Sequence, residues 1–281
     1  MRDQLSISRG AKVAIYIIVV AVVVFTCYPV FWVVCSSLKT PDEIAFSAPY
    51  TMPQSIYLGN YVKAFTDSPL IRYFANSVIV AAATLLLLVV IGSLAAFAIS
   101  KIRFKMNEKV MSFFLLGIMI PMFVCLIPMF QIYKVMGLRN TYASLVLPQL
   151  GFGLPICIYL YVNFMKFIPN SLCEAAMIDG ASNFTIFSRI VFPMAKNSTI
   201  TILIFNFVNI WNEFTYANTF MTKSDMKTLP IGLNDFVGEM GSRDWGATFA
   251  AIVAAALPTL IIYFFLNKSV MEGMAAGAVK G

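Results

Sequence analysis

Residues 73–100 read YFANSVIVAAATLLLLVVIGSLAAFAIS and contain no charged side chain. Apolar residues occupy both odd and even positions, so the stretch lacks the alternation of a half-buried strand. About 20 apolar residues in a helix cross the hydrocarbon core of a bilayer, and a helix satisfies its own backbone hydrogen bonds there. This stretch is therefore predicted to be a transmembrane helix.

Five further stretches have the same character. The predicted spans are about 13–38, 73–100, 110–133, 140–165, 197–221 and 245–267. The chain is 60% hydrophobic and only 12% charged, whereas soluble domains carry about 25% charged residues. The sequence thus predicts an all-α polytopic membrane protein with six transmembrane helices in a single transmembrane domain, 1–281. The first span follows a basic leader but is too long for a signal-peptide core, so we expect it to be retained.

The distribution of Lys and Arg over the connecting loops predicts the orientation. One side would hold the N-terminus and 101–109, 166–196 and 268–281, and these segments account for the whole net charge of +7. The opposite loops are balanced. Cytoplasmic loops carry the excess of basic residues, so both termini are predicted to be cytoplasmic. The basic charge then has a membrane explanation, and no nucleic-acid partner is predicted.

The sequence lacks the residues and motifs that most enzymes, metal-binding proteins and nucleotide-binding proteins need. Histidine, the commonest general base and metal ligand, is absent, and the five cysteines form no C-x-x-C pair. The phosphate-binding pattern G-x-x-x-x-G-K-[ST] is also absent, as are H-E-x-x-H and G-x-S-x-G. We therefore predict no catalytic residue, no metal site and no cofactor in this chain, which is not expected to be an enzyme.

The loop between the fourth and fifth spans carries a distinctive pattern, here called the 169–193 segment. Ser171 and Glu174 have the spacing of a capping box, which predicts a helix beginning at Leu172. Gly180, directly after Asp179, is suited to end it in a left-handed conformation. A second short helix is predicted over about 183–191. Ala175 and Ala176 give the first helix a smooth face, which suits either close approach by a partner protein or an ordinary helix pair resting on lipid headgroups.

The residues of this segment resemble a known motif. Its string E-A-A-x3-G-x9-I-x-F-P is formed by Glu174, Ala175, Ala176, Gly180, Ile190, Phe192 and Pro193. It is similar to the coupling-loop motif of binding-protein-dependent ABC importer permeases, in which leucine is commoner than phenylalanine at the position of Phe192. Further matches to the carbohydrate-uptake branch lie at Ser37–Lys39, Asn60-Tyr61, Asn76-Ser77, Ile127–Phe130 and Trp211–Phe214. The tail, 273–281, resembles that of the smaller permease of maltose-type systems.

The resemblance implies a fold, a set of partners and a site. The fold would be that of a type I importer permease domain in the bacterial or archaeal plasma membrane. The partners would be a second, different permease, two ATPase subunits that bind ATP and Mg²⁺, and an extracellular sugar-binding protein. The contact that transmits ATPase motions would comprise Glu174, Ala175, Ala176, Asp179 and Gly180. The tail contact to the ATPases would comprise Gly277, Val279, Lys280 and Gly281.

The fifth span carries the polar residues expected of a substrate path. Asn206, Asn209 and Glu213 lie at i, i+3 and i+7 and would share one helix face. Amides and a carboxylate suit the hydroxyl groups of a sugar, and Asn209, Asn212 and Glu213 are the predicted pathway residues. Glu213 lies near the end of the span. The alternative to a role in the substrate path is that its carboxylate is simply hydrated at the membrane surface.

Two broader alternatives stay open from the residues alone. A stand-alone secondary transporter or channel for a small polar solute would usually need several ionisable groups within its spans, and Glu213 is the sole candidate. Among importers, glycerol phosphate or another polar solute competes with sugars. A phosphorylated substrate favours Arg or Lys in the spans, where none is present, so a neutral sugar is preferred. Proline residues inside the third, fourth and sixth predicted spans fit either ordinary kinks or a moving bundle.

Overall fold

The computed structural model describes residues 9–236 and 244–278, with side chains described as far as residue 264. Within these ranges the secondary structure is entirely helical. The first helices are α1 (Arg9–Ser37), α2 (Pro41–Phe46), α3 (Gly59–Thr66), α4 (Leu70–Lys101), α5 (Asn107–Ile118), α6 (Met122–Val135) and α7 (Ala143–Met165). The later ones are α8 (Asn170–Ile178), α9 (Asn183–Ile186), α10 (Phe192–Met194), α11 (Lys196–Trp211), α12 (Thr215–Phe220), α13 (Leu229–Gly232) and α14 (Trp245–Ala278).

Four helices, α1, α4, α7 and α14, are individually long and apolar enough to cross a membrane. Two bent pairs raise the number to six if each pair forms one span. Helices α5 and α6 meet at 89°, and the α9–α10 region meets α11 at 74°. The first bend falls at Pro121, which lies just before α6 and has no backbone N–H to continue the hydrogen-bond ladder. Pro128 lies inside α6 without breaking it.

Chain contacts group the described residues into two compact units. The first unit takes residues from 1–68 and 235–254, and the second takes 69–234 and 255–281. That the whole chain forms one permease domain stays a prediction.

In the first unit, Asn60 joins the end of α1 to α3. Its Nδ2 donates to the carbonyls of Ser37 at 2.9 Å and Lys39 at 2.8 Å. The hydroxyl groups of Ser37 and Tyr61 lie 2.8 Å apart and share a hydrogen bond. A Cβ on Gly246 would collide with the Asn60 amide, so α14 begins with a residue that lets it pack closely there. Apart from this end, α1 exposes nearly all of its apolar side chains, as a lipid-facing helix does.

In the second unit, α4 and α7 pack along each other and form the centre of the core. Leu88, Tyr161 and Met165 are almost completely buried there. Small residues permit the close approach, since a Cβ on Gly92 would lie only 2.7 Å from the Cys157 sulfur. Helices α5 and α11 pack against this pair.

Candidate functional site

The polar residues of the predicted fifth span line a cavity of about 410 Å³ in the second unit. Helix α7 contributes Gln149 and Phe152, while α11 contributes Asn206 and Asn209. The remaining wall comes from the break after α11 and from α12. Asn212, Glu213 and Tyr216 lie on this wall. The three predicted pathway residues, Asn209, Asn212 and Glu213, are therefore brought to one cavity.

The backbone breaks where the sequence suggested an uninterrupted span. Helix α11 ends at Trp211, so residues 197–221 do not form one helix. The Glu213 carboxylate accepts hydrogen bonds from the amides of Tyr216 at 2.6 Å and Ala217 at 3.0 Å. Glu213 thus satisfies N–H groups in the first turn of α12, which have no partner within their own helix. It reaches the cavity from the break and not from the α11 face that carries Asn206 and Asn209.

The amides around the cavity are oriented in the same way. Asn206, Asn209 and Asn212 each donate Nδ2–H to the carbonyl four residues earlier, at 2.8 Å in every case. Gln149 does the same toward Leu145 at 3.0 Å. Each amide thus uses one of its two N–H groups on the helix, and its oxygen is left to accept from elsewhere. Asn209 and Asn212 are exposed at the cavity, whereas Asn206 is buried.

Two buried polar atoms at this cavity have no partner among the described residues. They are Gln149 Oε1 and the Tyr216 hydroxyl, in side chains that are 8% and 2% exposed. Buried polar groups are nearly always hydrogen-bonded, so a water molecule or a solute group would complete both. Gln149 is absent from the predicted pathway residues. In the sequence, Gln149 is a single amide between Pro148 and Pro155 of an apolar span. Hydrophobic periodicity alone does not distinguish such a residue from one that packs in the core.

Aromatic rings form the rest of the cavity wall. The rings of Phe152 and Tyr216 are stacked at a centroid distance of 6.4 Å, and Tyr216 stacks in turn on Phe220 at 6.2 Å. Phe205 and Phe214 are partly exposed beside them. The cavity therefore combines flat apolar faces with amide oxygens, an arrangement suited to a solute with both C–H faces and hydroxyl groups.

The 169–193 segment forms a second candidate site. Helix α8 begins at Asn170, and Pro169 precedes it with φ −59°, so the predicted start at Leu172 is two residues late. The predicted capping box between Ser171 and Glu174 does not form. Pro169 itself is extended, with ψ 134°, and the first turn of α8 has no side-chain cap. Gly180 has φ +82°, as expected for a glycine that ends a helix.

The predicted contact residues are accessible on α8. Glu174, Ala175, Asp179 and Gly180 are exposed and Ala176 is half-buried. Cys173, between them, packs into the core and anchors the helix. The exposed part of α8 therefore includes the predicted small residues and two carboxylates, together with the apolar side chains of Met177 and Ile178.

The second short helix continues further than predicted. Ser182 caps α9 by accepting from the Thr185 amide at 3.2 Å. A π-helical turn follows at Phe187–Val191, and α10 takes in Pro193. Ile186, Phe187 and Val191 are buried, so the extra residue in the π turn rotates the apolar side toward the core.

Lys101 connects this segment to the membrane helices. At the end of α4, its Nζ donates to the Ile168 carbonyl at 2.6 Å and to Asn170 Oδ1 at 2.9 Å. Lys101, Arg103 and Glu174 line a surface cavity of about 390 Å³ next to α8. The sequence marked Lys101 only as part of a basic loop and gave no sign of this contact.

The predicted tail contact lies at the limit of the structure. Gly277 falls within α14, in the part whose side chains are not described, and Val279, Lys280 and Gly281 lie outside the described residues. Among the described residues, no group of three His, Cys, Asp or Glu side chains is arranged to hold a metal ion.

The chain is similar in sequence to several permease proteins of bacterial and archaeal transport systems. The chain is 32% identical over 254 residues to the sulfoquinovosyl glycerol transport system permease protein SmoH of Agrobacterium fabrum, covering 90% of this chain and 89% of the relative. It is 31% identical to the trehalose/maltose transport system permease protein MalG of Thermococcus litoralis, covering 96% and 97%. It is 32% identical to the melibiose/raffinose/stachyose import permease protein MelC of Bacillus subtilis, covering 90% and 91%.

The fold also matches a solved structure. A crystal structure of a bacterial ABC transporter involved in the import of the acidic polysaccharide alginate superposes with a TM-score of 0.79 at 19% identity, covering 93% of this chain and 98% of that one. The sequence model described as binding-protein-dependent transport system inner membrane component matches residues 88–271, which include α7, the 169–193 segment and the cavity. The chain therefore belongs to this family, the membrane-embedded, multi-pass permease subunits of ABC importers.

Proposed function

We propose that this permease subunit imports a sugar or oligosaccharide, using ATP that is hydrolysed on other chains. Three relatives named for glycosides or oligosaccharides, each at least 31% identical, support the substrate class. The observation that carries the proposal is the cavity at the end of α11, where amide oxygens and aromatic rings converge. Asn209, Asn212 and Glu213 would line the path, and Glu213 would also hold α12 in place.

The partners follow from the 169–193 segment. We propose that two ATPase subunits, which bind ATP and Mg²⁺, dock beneath this chain and a second, different permease. The exposed face formed by Glu174, Ala175, Ala176, Asp179 and Gly180 supports α8 as the contact, because small side chains permit a partner's backbone to approach closely. The tail residues Gly277, Val279, Lys280 and Gly281 would reach the same ATPases. An extracellular sugar-binding protein would deliver the substrate.

The proposed location is a bacterial or archaeal plasma membrane, with both termini in the cytoplasm. The basic residues around Lys101 support this orientation, since positively charged loops remain on the cytoplasmic side. This orientation places the 169–193 segment on the side where ATP is present.

Co-purification tests the proposal. The tagged chain is extracted in mild detergent, and its companions are identified by mass spectrometry. We expect a second permease and an ATPase subunit, and ATP hydrolysis stimulated by a binding protein loaded with an oligosaccharide. A chain that purifies alone and transports solute after reconstitution without ATP would show instead a secondary transporter or channel.

A further inference from the structure

We propose that the cavity between α7, α11 and α12 is a binding subsite within this chain for a neutral, polyhydroxylated solute, with Gln149 and Tyr216 as its buried contacts. This inference rests on the proposed function. It adds two residues outside the predicted pathway and gives the preference for a neutral solute a structural basis.

The first argument concerns the two unpartnered atoms. Gln149 Oε1 and the Tyr216 hydroxyl are buried at one cavity without a hydrogen-bond partner. Leaving such an atom unsatisfied costs about 1–3 kcal/mol, so each creates a demand for a ligand group. A solute hydroxyl meets both demands, since it donates to the amide oxygen and either donates to or accepts from the phenol.

The second argument concerns the direction of the amides. Gln149, Asn206 and Asn209 each donate one of their two side-chain N–H groups to their own helix, which leaves the oxygen as an acceptor and the second N–H as a donor. Acceptors need donors, and the hydroxyl groups of a carbohydrate are donors in several directions. The cavity is therefore complementary to a polyol, whose hydroxyl groups both donate and accept.

The third argument concerns charge. No Lys, Arg or His side chain lines the cavity, and its one carboxylate, Glu213, is held by the amides of Tyr216 and Ala217. A carboxylate, sulfonate or phosphate group entering here would meet amide oxygens and a carboxylate without a cation to pair with. Burying an anionic group without a cation, next to oxygens that also carry negative charge, costs free energy. Anionic solutes are therefore excluded from this subsite.

The size and walls agree with this class of ligand. At about 410 Å³, the cavity falls within the range of about 300–1,000 Å³ typical of small-molecule sites. The partly exposed rings of Phe205 and Phe214 offer flat apolar surfaces to the C–H face of a sugar ring.

The test uses the complete importer, purified with its partner subunits and reconstituted in liposomes. The variants are Gln149→Met and Tyr216→Phe, which remove the unpartnered oxygens and keep the side-chain shapes. Gln149→Met also removes the Nε2–H bond to Leu145, whereas Tyr216→Phe removes the unpartnered oxygen alone. The control is Tyr161→Phe, because the Tyr161 hydroxyl is equally buried but already bonded to Thr199 Oγ1 at 3.1 Å. Two quantities are measured: the melting temperature of the complex and the sugar imported per ATP hydrolysed. The probes are radiolabelled maltose, melibiose and raffinose, with a galacturonic acid disaccharide as the anionic counterpart.

Wild type is expected to import at least one neutral probe and to reject the anionic one. Each cavity variant should lower the sugar imported per ATP about threefold to tenfold, as the loss of one hydrogen bond implies. Tyr216→Phe, which breaks no hydrogen bond within the chain, should do so without lowering the melting temperature. The control should lower the melting temperature and leave the import ratio unchanged.

Three outcomes would overturn the inference. Import that is unchanged in both cavity variants would remove the subsite while leaving the sugar importer intact. Preference of the wild type for the anionic disaccharide would contradict the neutral class alone. A complex that imports no carbohydrate at all would overturn the proposed function together with this inference.

Discussion

At the residue scale, two asparagines explain why short polar pairs recur in an otherwise apolar chain. Asn60 donates to two carbonyls just beyond the end of α1. Asn76, within α4, donates to the carbonyls of Asp225 at 3.0 Å and Lys227 at 2.8 Å. Its neighbour Ser77 accepts from the Leu229 amide. These residues carried the family resemblance, and the structure gives them a role in fixing connecting segments.

Asp244 supplies a prediction for the first unit. Its Oδ1 accepts from the Ala247 amide at 3.0 Å, and its Oδ2 pairs with Lys63 at 3.3 Å. Asp244→Ala removes a helix cap, so we expect it to lower the stability of the purified chain by about 0.5–2 kcal/mol at neutral pH. Thermal unfolding in detergent measures this. Asp244→Asn is the control that keeps the cap and loses the charge, and it should show a smaller effect.

The same residue predicts a pH dependence. Partial burial raises the pKa of Asp244, but hydrogen bonds from Ala247 and Lys63 outweigh it and hold the pKa below its ordinary value of 3.8. A carboxyl with a depressed pKa stabilises the folded state above the ordinary value, and this contribution is lost as the pH falls through the folded-state pKa. The difference in melting temperature between wild type and Asp244→Asn should therefore shrink below about pH 4. A difference that is constant down to about pH 3 would contradict this.

Lys101 supplies a second prediction. Because its Nζ binds Ile168 and Asn170, it positions the start of α8 relative to α4. Lys101→Met should loosen α8 and lower transport per ATP about threefold to tenfold, as expected for loss of one or two hydrogen bonds. ATP hydrolysis and sugar uptake are measured together in liposomes. Lys105→Met, at an exposed residue of the same loop, is the matched control for lost charge, and equal effects in both variants would refute the positioning role.

At the element scale, the end of α8 depends on a left-handed residue. Gly180 has φ +82° and open space around it, so a side chain there meets strain and not a collision. Gly180→Ala should cost about 1–2 kcal/mol and weaken the binding of the ATPase subunits, whereas Gly180→Asn should be milder because asparagine tolerates this conformation. Recovery of the ATPase subunit on the tagged chain is the measurement. Equal recovery with Ala and wild type would show that the turn is not needed for docking.

Breaks in the helices also place the site. Helix α11 ends at Trp211, and Glu213 holds the amides of α12, so the cavity forms at a break and not along a straight span. Non-helical backbone at membrane depth is tolerated where it lines a protein cavity and its polar groups are satisfied. The bend between α5 and α6 at Pro121 brings Met122 to the same cavity.

At the scale of the whole molecule, the predicted orientation is directly testable. Single cysteines introduced as Lys105→Cys and Lys223→Cys, in a background without the native cysteines, are exposed to a membrane-impermeant maleimide. In intact spheroplasts we expect labelling at position 223 and protection at position 105, because basic loops remain in the cytoplasm. After permeabilisation both should react. The reverse pattern in intact spheroplasts would invert the proposed topology and move the 169–193 segment away from ATP.

The sequence by itself determined the class of fold and the exposed face of α8. Long uncharged runs have one stable form in lipid, so α1, α4 and α7 appear within a few residues of their predicted bounds. Gly180 ends α8 because backbone conformation there is a local property of glycine. Composition and local chemistry were sufficient for these features since they do not depend on which helices are neighbours.

Only the tertiary structure decided which polar groups share a cavity and which of them lack a partner. Gln149 and Tyr216 are far apart in sequence, and their unpartnered oxygens become visible only after α7, α11 and α12 are packed. The contact of Lys101 with the start of α8 likewise joins residues separated by more than sixty positions. Periodicity reports one helix at a time, whereas satisfaction of a buried polar atom depends on all the elements packed around it.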